Sequence, residues 1–153
     1  MRKIFINLIK GITIGMLSLM VAAAAFLVYI RNCDWEPQKA AEYATQNAER
    51  KSVGLCAMYV RKAMIHGGLP VYKWGDTWTY KYLLPVLGFE KVGDKDDLKV
   101  GDIVVFQSTG GRRFGHIAMW NGRQWVSDFR QRSIVVHSDY RKEGSGYDIF
   151  RKL

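Results

Sequence analysis

The sequence predicts an α+β fold with helices first and an antiparallel sheet second, and three observations carry that reading. Apolar residues recur at helical spacing as far as about residue 87. Beyond Gly88 the pattern shortens to strand-length runs broken by turn residues. Asn121-Gly122 then stands between two of those runs, the strongest hairpin signal in the chain. The 153 residues are 48% hydrophobic and 13% aromatic, which excludes a disordered tail protein. About 120 of them remain once the N-terminal apolar run is set aside, enough for one domain with a modest core. Two cysteines exclude a disulfide scaffold, and two Cys and three His at scattered spacings form no zinc pattern.

The first element is the uncharged run Gly11 to Ile30. As a helix it is about 30 Å long, the thickness of a hydrocarbon core, and longer than the roughly 7–15 apolar residues of a secretory signal. An uncleaved anchor over residues 11–30 is therefore expected; the alternative is secretion after signal cleavage near Ala22 to Ala25. Arg2, Lys3 and Lys10 precede the run, whereas Arg31, Asp34, Glu36 and Lys39 nearly cancel after it. The positive-inside bias makes residues 1–10 a cytoplasmic n-region and carries everything after residue 31 across the membrane. Setting Arg2, Lys3, Lys10 and Arg31 aside lowers the net charge from +9 to +5, so the exported part is basic without being extreme.

Residues 31–51 read as a membrane-proximal helical segment. Pro37 suits a first helical turn, and Ala40, Ala41, Ala44 and Ala48 form a small-residue stripe in a helix running to about Arg50. Ser52 is placed to cap a second helix, about Leu55 to His66, which Gly67-Gly68 stops. Its apolar positions cover much of its circumference, so this helix is expected at the centre. A third helical segment falls within Trp78 to Leu87. Strands are expected at Phe89 to Val92, Asp102 to Gln107, Gly115 to Trp120, Gln124 to Phe129, Ser133 to His137 and Tyr147 to Arg151.

Chemistry concentrates on Cys56 and one histidine. Cys56 lies in the first turn of the central helix, where unpaired N–H groups and the helix dipole favour the thiolate. His66 is ten residues on, about 15 Å along the same helix, and out of reach. His137 lies late in a strand. His116 begins a strand after Gly115, where sheet packing can bring it against the helix's first turn as the base a thiol nucleophile needs. Residue spacing alone favours the plainer readings, Cys56 as an inert core thiol and His116 as a strand-end surface residue.

The local motifs sharpen the choice. Ser52-Val53-Gly54-Leu55-Cys56-Ala57-Met58-Tyr59-Val60, then Lys99-Val100-Gly101-Asp102-Ile103-Val104-Val105-Phe106, then Gly115-His116-Ile117-Ala118-Met119-Trp120-Asn121-Gly122 resemble, in order, the motifs of the NlpC/P60 and CHAP families. These are papain-like cysteine peptidoglycan hydrolases, amidases and endopeptidases. The resemblance covers roughly residues 50 to 153. It implies a papain-like α+β domain over residues 52–153, Cys56 as nucleophile, His116 as base and a third polar residue on the imidazole. It implies no metal and no organic cofactor. Gln124-Trp125-Val126-Ser127-Asp128-Phe129 is similar to the return strand of the amidase branch, which includes effectors injected into rival bacteria, so an inhibitor or immunity protein joins peptidoglycan and the inner membrane among the implied partners.

The third residue depends on register. A two-residue turn at Asn121-Gly122 pairs Trp120 with Arg123 and sets His116 opposite Ser127; a one-residue bulge sets it opposite Asp128 instead. Asp128 is preferred because a carboxylate holds an imidazole better than a hydroxyl, with Gln131 and Ser127 behind it. Otherwise Asp128 is a solvated strand-end residue. Tyr59, Arg113 and Trp120 are expected near substrate, and Arg112 with Arg113 beside His116 suits acidic stem peptides. Tyr72, Trp74, Trp78, Tyr80 and Tyr82 divide between core and groove. Cys33 and Cys56 would lie together in an oxidising compartment, where pairing silences the nucleophile.

The same residues serve two other readings: a silent peptidoglycan-binding envelope module, and an acyltransferase or transpeptidase using the Cys56–His116 pair. Nucleic-acid binding is disfavoured, since the basic residues are spread out and no reading motif accompanies them.

Overall fold

A computed structural model describes residues 2–71, 75–93, 97–111, 113–142 and 146–153, with side chains described from residue 11 onward except at 142. Tyr72, Trp74 and Arg112 lie outside the described residues. Helix α1 (Arg2–Arg31) is followed by α2 (Pro37–Asn47) and α3 (Cys56–His66). A 3₁₀ turn (Thr77–Thr79) then leads into α4 (Tyr80–Val86). The rest is β1 (Phe89–Val92), β2 (Ile103–Phe106), β3 (His116–Trp120), β4 (Trp125–Val126), α5 (Ser138–Lys142) and β5 (Tyr147–Lys152). The strands form one antiparallel sheet in the order β1-β5-β2-β3-β4.

Strand β2 lies at the centre, and all four of its residues are buried because both faces of the sheet are covered. Alternation sends Ile103 and Val105 to the helix side, against Val60, Ala63 and Met64 of α3. Val104 and Phe106 face the other way, against Tyr140 of α5 and Ile149. Residues 133–137, expected as a strand, form none: Ile134, Val135 and Val136 cover that second face and lead into α5, which the sequence pattern did not announce. Helix α2 packs its alanine stripe, Ala40, Ala41 and Ala44, into the core beside α3.

Asp102 staples the sheet. Arg151 of β5 donates to it from Nε to Oδ1 and from a terminal nitrogen to Oδ2, both at 2.8 Å. Lys99 N–H donates to Oδ2 at 2.8 Å, while the Asp102 carbonyl accepts from Trp120 N–H. Asp102 is 1% exposed.

The hairpin differs from expectation. Trp120 pairs with Trp125, so the connection is four residues, not two. Asn121 explains it: its side-chain oxygen accepts from the N–H groups of Arg123 (3.0 Å) and Gln124 (2.8 Å), a local mimic of a longer turn. β4 then stops at Val126, short of His116. The chain doubles back over residues 127–130, and Gln131 N–H donates to the Trp125 carbonyl at 2.9 Å.

Helix α1 exposes its apolar side chains, among them Leu17, Leu19, Val21 and Phe26. Its span Gly11–Arg31 is long and apolar enough to cross a membrane, by length and composition. Its C-terminal end is tied to the domain: Ile30 is buried, and Lys152 Nζ donates to the carbonyls of Arg31 (2.6 Å) and Leu87 (2.9 Å).

Candidate active site

Helix α3 begins at Cys56 itself, one residue later than expected, and Leu55 in the cap position offers no side-chain acceptor. Ser52 is not the cap. The loop over residues 52–55 is held instead by Asp128, from the far side of the hairpin. Asp128 Oδ2 accepts the N–H of Val53 at 2.7 Å, the N–H of Leu55 at 3.3 Å and the Ser52 hydroxyl at 3.1 Å. Its Oδ1 accepts the Ser127 hydroxyl at 3.0 Å. Burial works against this charge, yet the bonds from Val53, Ser127, Leu55 and Ser52 outweigh it and hold the carboxyl below its usual range.

His116 is buried at the start of β3. Gly115 aims it there: φ is +71°, and a Cβ at that position would stand 2.5 Å from the Phe106 carbonyl oxygen, so no other residue fits. The group against the imidazole is the amide of Gln131, whose Nε2 lies 2.6 Å from His116 Nε2. The same Nε2 donates to Ser127 Oγ at 3.0 Å, and Gln131 Oε1 has no partner among the described residues. Asp128, preferred from sequence for this place, directs its carboxylate bonds to Ser52, Val53, Leu55 and Ser127.

The Cys56 sulfur lies 3.6 Å from Thr77 Oγ1 and faces the Ile117 N–H, directly after His116 in β3. Cys56 and His116 line one cavity of about 760 Å³. Arg61, Asp76, Thr77, Arg113, His137 and Tyr140 also line it. The His137 ring stands edge-on to His116, with centroids 6.4 Å apart.

Burial pushes the Cys56 thiol up. Thr77, the Ile117 N–H and the Ala57 N–H pull it down, the nearby Asp128 charge adds to the rise, and the net direction is upward. The helix-start effect expected from sequence is thus present in the Ala57 N–H but outweighed.

The remaining expected residues separate. Arg113 lines the cavity. Tyr59 does not line it; its hydroxyl donates to Glu49 at 2.9 Å. Trp120 packs edge-on against Trp125, centroids 5.4 Å apart, and lines a different groove. Of the described aromatics, Tyr80 is both core and cavity wall, and Tyr82 is exposed. Thr77, Arg61 and Tyr140 were not singled out from sequence, and nothing in their local pattern sets them apart. Cys33 and Cys56 are free thiols. A second, basic groove carries Arg50, Lys51, Arg130 and Arg132, and shares Ser52 with the cavity.

Comparison with known proteins agrees with this geometry. A family model described as CHAP domain matches residues 45–136. A chain of the type VI native effector–immunity complex Tae3–Tai3 from Ralstonia pickettii is 34% identical, with a TM-score of 0.72 over 78% of this chain and 100% of that one. The selenomethionine form of the same complex gives 34% identity and a TM-score of 0.68 over 73% and 98%. No curated protein matches the sequence. With a match over more than half its length, and with Cys56 and His116 inside it, the chain belongs to the CHAP domain family of peptidoglycan hydrolases.

Proposed function

We propose that this protein cuts amide bonds in peptidoglycan stem peptides by acyl transfer, with Cys56 as nucleophile, His116 as base and Gln131 as the group orienting the imidazole. The observation that carries the reading is that the Cys56 thiol, at the start of α3, and the His116 imidazole, at the start of β3, line one cavity. A desolvated thiol is a poor nucleophile until its proton leaves, and a neighbouring imidazole supplies that step. The thiolate attacks the peptide carbonyl, and the Cys56 backbone N–H, without an intrahelical acceptor in the first turn, faces the oxyanion. The imidazolium returns its proton to the leaving amine, and water, deprotonated by His116, cleaves the thioester. Arg61 and Arg113 on the cavity wall suit the carboxylates of an acidic stem peptide.

Helix α1, apolar over Gly11–Arg31, supports a single-pass anchor with the catalytic domain on the periplasmic side of a bacterial inner membrane. In this reading residues 1–10 stay cytoplasmic, residues 31–51 lie next to the membrane and residues 52–153 carry the hydrolase. The likeness to a chain of an effector–immunity complex supports an immunity protein as a partner.

The test is digestion of purified sacculi by the full-length protein in detergent under reducing conditions, with products resolved by mass spectrometry. New fragments are expected from the unmutated chain and absent with Cys56→Ala and with His116→Ala; their masses name the bond. Fragments persisting with Cys56→Ala would remove the thiol mechanism.

A further inference from the structure

We propose that Asp128 is a positioning residue that joins the two halves of the site, holding the nucleophile's loop with one carboxylate oxygen and the imidazole's support with the other. The proposal rests on the reading of Cys56 and His116 as nucleophile and base. Its basis is the division of labour at a fully buried side chain. Oδ2 gathers Ser52, Val53 and Leu55, the residues that lead into Cys56. Oδ1 takes the Ser127 hydroxyl; Ser127 Oγ accepts from Gln131 Nε2, and Gln131 meets His116. One unbroken run of hydrogen bonds therefore links the loop before the nucleophile to the base, between segments about 75 residues apart in the chain.

Physical chemistry explains why a carboxylate is needed here. The loop contains Gly54 at φ +76°, so its backbone has wide freedom unless something fixes it. Leu55 supplies no cap to α3. Four donors converge on Asp128, and only a group that accepts at both oxygens and donates at neither satisfies them all. The bonds are charge-assisted and correspondingly short and strong. An amide of identical shape would turn an NH₂ toward a donor at one end or the other. Asp128 also fixes the loop through its main chain, accepting Glu49 N–H on its carbonyl at 2.8 Å.

The role separates from simple electrostatics by sign. The Asp128 charge raises the Cys56 thiol, so removing the charge alone lowers the pH at which Cys56 becomes reactive. Loss of the clamp does the opposite, because Cys56 no longer meets His116 and titrates as a lone buried thiol. The other groups around Cys56, namely His116, His137, Arg61, Arg113, Asp76, Tyr80 and Tyr140, are the same in both cases.

The experiment compares full-length wild type, Asp128→Asn, Ser127→Ala and His116→Ala in detergent. It reads kcat and KM on sacculus-derived peptides, the pH profile of Cys56 alkylation by iodoacetamide followed by mass spectrometry, and the melting temperature. Asp128→Asn is expected to lower kcat by about tenfold or more with KM within about twofold. Its alkylation midpoint is expected to rise by about one pH unit, a roughly tenfold slower reaction below the midpoint. Ser127→Ala cuts only the Oδ1 arm and moves both readings the same way by a few-fold, which keeps the test decisive where Asp128→Asn does not fold. A lowered melting temperature with an unchanged or lowered alkylation midpoint in the folded variant overturns the proposal and makes Asp128 a structural cap. If wild type and His116→Ala alkylate with the same profile, the Cys56–His116 reading itself fails, an outcome separate from any behaviour of Asp128.

Discussion

Gln131 reaches His116 from the far side of a tight turn, its Nε2 2.6 Å from the imidazole Nε2, although β4 ends five residues earlier at Val126. Because the chain reverses over residues 127–130, Gln131 returns beside Trp125 and ends up under the ring. When His116 takes the thiol proton, both ring nitrogens become donors. Only the amide oxygen can accept the Nε2–H, so the orientation with Oε1 on the ring is the one that leaves Nδ1 free to take the thiol proton. Gln131→Ala is expected to lower kcat per folded molecule by about 10- to 10³-fold, with a fall in melting temperature because the side chain is buried and hydrogen-bonded. Gln131→Glu should keep the acceptor and, by placing a carboxylate on the ring, move the acid-limb midpoint of kcat/KM upward, since His116 must be neutral to act as base. Steady-state kinetics across pH check both; an unchanged kcat in Gln131→Ala would remove it from the site.

The Asp128 carboxyl is held below its unfolded range, so it stabilises the fold wherever the unfolded chain would hold its proton more tightly. That contribution is complete above the ordinary aspartate value of about 3.9 and fades as pH falls through that value toward the lower one of the folded protein. Asp128→Asn is therefore expected to cost about 1–3 kcal/mol at pH 7, where buried donors lose their acceptor. The gap to wild type should narrow progressively below about pH 4. Urea denaturation of both proteins between pH 2.5 and 7 measures it. A gap independent of pH would mean that the carboxylate charge is not what holds the loop.

How much of this was legible in the sequence depends on whether the information was local. The helix carrying Cys56, the glycine that places His116 and five of the six expected strands followed from periodicity and turn residues, because each is decided within a few residues. The Gly101-Asp102 motif was visible too, though its partner Arg151 lies 49 residues away and no spacing predicts that pairing. The hairpin register failed on one side chain: Asn121 bonds its own following backbone and lengthens the turn, which cancels both pairings considered for His116. Choosing among Ser127, Asp128 and Gln131 then required knowing where the chain reverses after Val126. The sequence window holds all three, and the reversal distributes them, with Gln131 on the imidazole, Ser127 between, and Asp128 on the nucleophile's loop. The thiol's environment was misjudged for a related reason, since burial by residues distant in sequence outweighs the helix-start effect that the local pattern reveals.

Asp102 and Arg151 form a buried pair whose loss is asymmetric. Asp102 is almost completely enclosed, and the Arg151 side chain is 11% exposed. The Asp102 contacts raise the Arg151 guanidinium further above its already high range, so the guanidinium stays charged at every accessible pH. Arg151→Met leaves a buried carboxylate with the Lys99 N–H as its one remaining donor among the described residues, and about 3–5 kcal/mol of destabilisation is expected. Adding Asp102→Leu to that variant removes the stranded charge and should recover part of the loss. Denaturant unfolding of the two single variants and the double variant closes the cycle; purely additive losses would show that the pair is not coupled.

The turn before β3 makes the sharpest demand on residue type. Gly115 needs a left-handed backbone, and its missing side chain is what lets the Phe106 carbonyl and the Trp78 backbone approach. Gly115→Ala meets two penalties together: about 1–2 kcal/mol for a Cβ in that region of φ and ψ, and a contact with backbone that cannot rotate away. The chain must therefore shift at the point from which His116 enters the site. Stability is expected to fall by more than about 2 kcal/mol, beyond the conformational term alone. Activity should fall further than the folded fraction accounts for, since a small displacement of a base costs rate as well as stability. Gly122 offers the control. It also has a positive φ, +91°, but the nearest atom to its missing Cβ is the Val100 Cγ2 at 3.1 Å, a side chain that can yield. Gly122→Ala should carry the conformational penalty and leave kcat per folded molecule unchanged, as measured by active-site titration with an iodoacetamide probe. Equal loss of kcat in the two variants would mean that the position of His116 does not depend on the tight approach at Gly115.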